Sequence, residues 1–78
     1  MPEVLEAHQD YKRADQEALD LRARARARLG LAILRERDSG TPQEAIARRL
    51  DRTREQVRRY EQAYRDWLRD HPGESLEG

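Results

Sequence analysis

Fifteen of the sixteen basic residues in this chain are arginine, and several are spaced for a helix: Arg22 with Arg26, Arg24 with Arg28, and the adjacent Arg58-Arg59. A guanidinium fork can engage O6 and N7 of guanine, or phosphate, in ways that a lysine ammonium cannot. The chemistry of bond making is missing beside it. There is no cysteine, and His8 and His71 lie far apart among polar neighbours, where solvated surface histidines are expected. No nucleophile has a partnered base, and no Gly-rich loop is present to cradle a phosphate. The six acids of residues 1–20 scatter round a helix without ligand spacing, so a solvated face is expected rather than a cation site. The expectation is a non-enzymatic binding protein with no metal and no cofactor.

The formal net charge of zero conceals a polarised chain. Residues 1–20 set six acids against Lys12 and Arg13, whereas residues 21–38 set six arginines against Glu36 and Asp38. Residues 39–70 hold eight arginines against six acids. An acidic beginning and a basic remainder suggest contact with nucleic acid or head-to-tail self-pairing, although a coding bias toward Arg and Ala would also enrich these residues. No apolar run approaches a membrane span or signal-peptide core, so a cytoplasmic protein is expected. Seventy-eight residues make one small domain that buries a modest fraction of its surface, and a dimer interface would help it.

The elements that must position these arginines are helical. "LRARARARLGL", residues 21–31, alternates like a strand, yet it contains no β-branched residue and is built from strong helix formers. On a helix, Leu21, Ala25, Leu29 and Ala32 share a stripe, with Ile33 at its edge, and the arginine pairs fall on two other flanks. Ala23, Ala27, Leu31 and Leu34 make a second apolar strip. Upstream, Val4, Ala7, Tyr11, Ala14, Ala18, Leu21 and Ala25 follow a heptad-like spacing. No Gly or Pro interrupts residues 3–29, so the region is either one unusually long helix or two joined without a visible break.

Ser39-Gly40 is a stop signal, with Gly40 suited to the left-handed position after a helix. "TPQE", residues 41–44, then spells a capping box with Thr41 as N-cap, Pro42 at the first helical position and Glu44 reaching back. The next helix carries Ile46, Ala47 and Leu50 inward and gives way at Asp51-Arg52. "TREQ", residues 53–56, repeats the box with Thr53 and Gln56. A last helix is expected to bury Val57, Tyr60, Tyr64, Trp67 and Leu68, and to end at His71-Pro72-Gly73 before a frayed tail. The helical spacing makes the aromatics core rather than a base-stacking platform. The fold class expected is all-α: a long N-terminal helical segment followed by a three- to four-helix domain. Residues 1–20 form an acidic arm, 21–70 the domain and 71–78 a flexible tail.

A short helix, a turn of about three residues and a second capped helix make a helix-turn-helix unit, with Ala47, Asp51 and Val57 at its crossing, turn and return positions. "QEAIARRLDRTREQVRRY", residues 43–60, resembles the helix-turn-helix of bacterial transcription regulators, including sigma factor region four, and "VRRYE", residues 57–61, resembles the recognition helix of MerR-type regulators. Asp51 stands where the family prefers Gly, Arg52 where an apolar turn residue is usual, and "QAYRDWLRD" continues helically in place of a MerR-type wing. The resemblance implies double-stranded DNA as partner and a recognition helix over about residues 54–69. It assigns base contacts to Thr53, Arg54, Glu55, Arg58, Arg59 and Gln62, and a phosphate contact to Gln43 at a helix N-terminus. Arg48, Arg52 and Arg65 are expected as phosphate clamps. The competing reading for Arg58 and Arg59 is a solvated pair with Glu55 or Glu61.

The role expected is a small cytoplasmic regulator or repressor, placed on a mobile element only by analogy of size. A homodimer is expected through the N-terminal helical segment, each acidic first half facing the other subunit's arginines. The alternative is a protein-interaction module on the same helices: an anti-sigma factor, an antitoxin, or an adaptor for RNA polymerase or another regulator.

Overall fold

The computed structural model describes residues 2–76, and three helices account for nearly all of them: α1 (Pro2–Asp38), α2 (Gln43–Leu50) and α3 (Arg54–Asp70). The all-α expectation holds, and residues 3–38 are a single helix. Strong helix formers, a proline in the first position, Glu3 in the first turn and Arg35 and Arg37 in the last all favour continuity. At 1.5 Å per residue this helix is roughly 55 Å long, and it sets the long dimension of a molecule measuring 59 × 30 × 19 Å.

Gly30, the weakest helix former in the interior of α1, is required by packing. A Cβ there would overlap the Tyr60 carbonyl oxygen and lie 2.9 Å from the Tyr64 Cβ. The glycine lets α3 run backbone to backbone against α1, antiparallel to it, with Val57 near Ile33 at one end and Trp67 near Ala27 at the other. Ile33, Ile46, Ala47 and Val57 form one buried cluster where all three helices meet. Ala27, Trp67 and Leu76 form a second.

Several inward positions differ from expectation. Leu50, the last residue of α2, lies beyond the three-helix cluster and stays exposed, as does Leu68 at the rim of α3. Tyr60 and Tyr64 are half-buried, each packed at the margin of a buried cluster rather than inside it. His71 is half-buried, stacked on Trp67 with ring centroids 4.5 Å apart, and so is not a solvated surface histidine.

The capping box expected at Thr41 does not form. The Thr41 amide donates to the Glu36 carbonyl and the Gly40 amide to Arg37, a Schellman-type closure of α1 with Gly40 at φ 106°. Thr41 therefore belongs to the end of α1. Pro42, extended at ψ 149°, becomes the N-cap of α2 without any side-chain acceptor, and the helix starts one residue later than expected.

The tail also behaves differently from a segment with no contacts. Leu76 is buried against Ala27 and Trp67, and the Ser75 carbonyl lies 3.5 Å from Arg24 Nη2. An apolar residue six positions past the helix can reach back to Trp67, and hydrophobic burial favours that path. Residues 77 and 78 of the expected tail, and residue 1 of the expected arm, lie outside the described residues.

Candidate nucleic-acid interface

The unit that displays the candidate residues is α2, a three-residue turn (51–53) and α3. Asp51 adopts the left-handed conformation, φ 54° and ψ 46°, in which its amide bonds to the Arg48 carbonyl and that of Arg52 to Ala47. Asp tolerates this region better than most residues with a side chain. Thr53 then caps α3: its Oγ1 accepts from the Gln56 amide at 3.1 Å, and its own amide donates to Gln56 Oε1 at 2.9 Å. The chain direction is thus fixed on both sides of the turn by hydrogen bonds rather than by packing at Arg52. Ala47 and Val57, buried, hold the two helices together beneath it.

Two ion pairs tie this unit to α1. Arg37 Nη1 lies 2.8 and 2.9 Å from the two carboxylate oxygens of Glu61, which is 2% exposed. Glu61 therefore pairs across helices and is not a partner of Arg58 or Arg59. Arg49 Nη1 lies 2.9 Å from Glu36 Oε2, between exposed side chains. Neither pair was singled out from the sequence. The signal for Glu61 was its position, four residues after Val57 at the edge of the apolar face of α3.

Opposite that face, α3 carries Arg58, Arg59 and Gln62 to solvent, all exposed. Glu55 sits between the arginines, 3.7 Å from Arg58 Nη1 and 3.8 Å from Arg59 Nε. Gln62 donates to Asp66 Oδ1 at 3.0 Å, and Arg54 Nη1 meets Glu44 Oε1 of α2 at 3.2 Å. Four of the six expected base-contact residues thus share one surface, and Thr53 and Arg54 open it at the N-terminal end of α3. Every one of these side-chain pairs is solvent-exposed and worth tenths of a kcal/mol, roughly 0.2–1 kcal/mol at most, so an incoming base edge or phosphate can displace it.

The expected phosphate clamps Arg48, Arg52 and Arg65 are exposed and have no ion pair or hydrogen bond from their guanidinium groups among the described residues. Gln43 is half-buried in the first turn of α2. The arginines of residues 22–28 divide their tasks: Arg26 lies over the Tyr60 ring, 5.7 Å from its centroid, and helps hold α3. Arg22 and Arg28 are exposed on the other sides of α1.

Among the described residues no group of three His, Cys, Asp or Glu side chains gathers to hold a metal ion, and no helix is long and apolar enough to cross a membrane. The chain matches no family model, no curated protein and no solved structure.

Proposed function

We propose that this chain binds double-stranded DNA sequence-specifically as a small bacterial transcriptional regulator of the cytoplasm, with α2 and α3 acting as a helix-turn-helix and α3 entering the major groove. The observation that carries the reading is the outer face of α3. Arg58, Arg59 and Gln62 stand exposed on the side of the helix opposite Val57 and Trp67, just past a left-handed turn and a capped N-terminus. Such a helix can insert its polar side while its apolar side stays packed.

In this reading Arg58 and Arg59 engage base edges, with Gln62, Glu55, Arg54 and Thr53 at the neighbouring positions. Arg48, Arg52 and Arg65, with Gln43 at the start of α2, fix the register on phosphates. No bond is made or broken. A homodimer through the N-terminal segment of α1 would present two such helices, about 34–36 Å apart on a palindromic site. Selection of bound duplexes from a random pool tests the proposal: enrichment of a sequence, with affinity falling along a log–log line in salt, supports it. Recovery of unenriched sequence refutes it.

A second reading has one observation in its favour. The outer face of α3 is of mixed charge, with Glu55 and Asp66 interleaved among Arg58, Arg59 and Arg69. A mixed face of this kind also suits a protein partner, as in an anti-sigma factor, an antitoxin or a polymerase-binding adaptor. A partner protein recovered with the chain, with no duplex bound at low salt, would favour it.

A further inference from the structure

The first half of α1 has nothing packed on it. α3 ends at Asp70, level with Asp20 and Ala23 of α1, and every residue from Pro2 to Leu19 is exposed except the half-buried Ala18. Val4, Tyr11 and Leu21 are 64%, 69% and 70% exposed. An amphipathic helix of this length is marginal when it projects alone into water, so its stability calls for a partner.

The apolar seam that begins at Val4 does not stop where the body of the protein starts. It continues through Leu21 and Ala25 to Ala32, roughly 170° round the helix from the Ala27–Gly30 side that meets α3. There it becomes a shallow groove lined by Leu21, Ala25, Leu29 and Ala32, by Arg24 and Arg28, and by Leu76 of the C-terminal segment. From Val4 to Ala25 the seam is exposed apart from the half-buried Ala18, and no residue of α2 or α3 lines the groove.

We propose that the occupant is the same seam of a second copy of this chain, running antiparallel, with the two-fold axis passing between Leu19 and Asp20. Charge complementarity selects this arrangement. With the axis there, Ala18 faces the partner's Leu21, Ala14 faces the partner's Ala25, and Tyr11 lies against the partner's Arg28. On the flanks, Asp15 falls beside the partner's Arg22 and Glu17 beside the partner's Arg24, and symmetry repeats both pairs. A shift toward the N-terminus by one half-heptad sets Asp15 against its own copy and Glu17 against its own copy. A parallel pairing lays acidic half on acidic half and arginine half on arginine half. Only the antiparallel register buries the exposed seam while matching opposite charges on both flanks.

The small residues let the two backbones approach closely, which seats Leu21 and Tyr11 in the partner's groove. The arm of each subunit is then the missing cover for the body of the other. This proposal stands independently of DNA binding, and its experiment does not involve DNA. The chain contains no cysteine, so introduced thiols report without background. Ala14→Cys and Ala25→Cys, both at exposed positions, are prepared separately, checked for helix content by circular dichroism, mixed and oxidised. The expected product is the mixed disulfide-linked dimer in excess over either self-linked species, alongside a dimer of the unaltered chain in sedimentation equilibrium. Self-linked Ala14→Cys dimers in excess would mean a parallel pairing and overturn the proposal. A chain that stays monomeric at micromolar concentration and gives no linkage, leaving the seam to another protein or a lipid surface, overturns it as well.

Discussion

Arg37 reaches from the last turn of α1 to the buried carboxylate of Glu61 on α3, one guanidinium nitrogen contacting both oxygens at 2.8 and 2.9 Å. The two partners are unequal: Glu61 is 2% exposed, while the Arg37 side chain is 40% exposed. Removing the arginine strands a buried charge, whereas removing the carboxylate leaves a guanidinium that water can reach. Arg37→Ala is expected to destabilise the fold by about 2–3 kcal/mol, at or below the range for broken buried pairs because Arg37 is partly solvated. Glu61→Leu should cost less, and the double variant Arg37→Met/Glu61→Leu less than Arg37→Ala alone. Urea denaturation followed by the fluorescence of Trp67, the single tryptophan, measures all three. Equal losses for the two single variants would contradict the asymmetry.

Gly30→Ala separates packing from propensity. In an isolated helix the substitution stabilises by about 1 kcal/mol. Here the added methyl meets the Tyr60 backbone carbonyl and the Tyr64 Cβ, and backbone cannot swing aside as a side chain can. A net loss of about 1–3 kcal/mol is expected, as for overpacked cores. A rise in the urea midpoint would show that α1 and α3 are not in close contact at this point.

The two threonines that precede helices are expected to differ. Thr53→Ala removes a side-chain cap that accepts from the Gln56 amide, and should cost about 1 kcal/mol. Thr41→Ala removes no cap, since α2 begins with Pro42, and should fall within about 0.5 kcal/mol of the unaltered chain. Comparable losses at both positions would place Thr41 back at the start of α2.

These elements also show what was legible in the residues and what was not. The cap at Thr53, the left-handed turn at Asp51 and the inward Ile46, Ala47 and Val57 follow from local rules of hydrogen bonding and spacing, and all are present. "TPQE" satisfies the same local rule and fails, because the Thr41 amide is claimed by the closure of the preceding helix and a single four-residue pattern cannot register that competition. Gly30 reads locally as a weak point, and only the approach of Tyr60 from thirty residues away explains it. Glu61 and Leu76 were hidden for a similar reason. The helical period puts Glu61 at the edge of the apolar face of α3, but its partner Arg37, and the contact of Leu76 with Trp67, are tertiary and are not encoded by periodicity along the chain. In the candidate site, the exposure of Arg58, Arg59 and Gln62 and the pairing of both arginines with Glu55 follow from the helical period, whereas the choice of Glu55 over Glu61 depends on the burial of Glu61 against Arg37.

Phosphate and base contacts are expected to separate in salt titrations. Arg48→Ala, Arg52→Ala and Arg65→Ala should each weaken binding to every duplex alike and lower the slope of log affinity against log salt by about 1. A variant among the three that changes the preferred sequence while leaving the slope unaltered would move that residue from the phosphates to the base edges.

The most direct test of the account is a fluorescence anisotropy titration of Arg58→Ala and Arg59→Ala on the selected duplex and on duplexes altered at single positions. Each variant is expected to lose about 1–3 kcal/mol of discrimination at a defined base pair while keeping its helix content. Wild-type affinity and wild-type specificity in both variants would contradict the reading of α3 as the helix that recognises DNA.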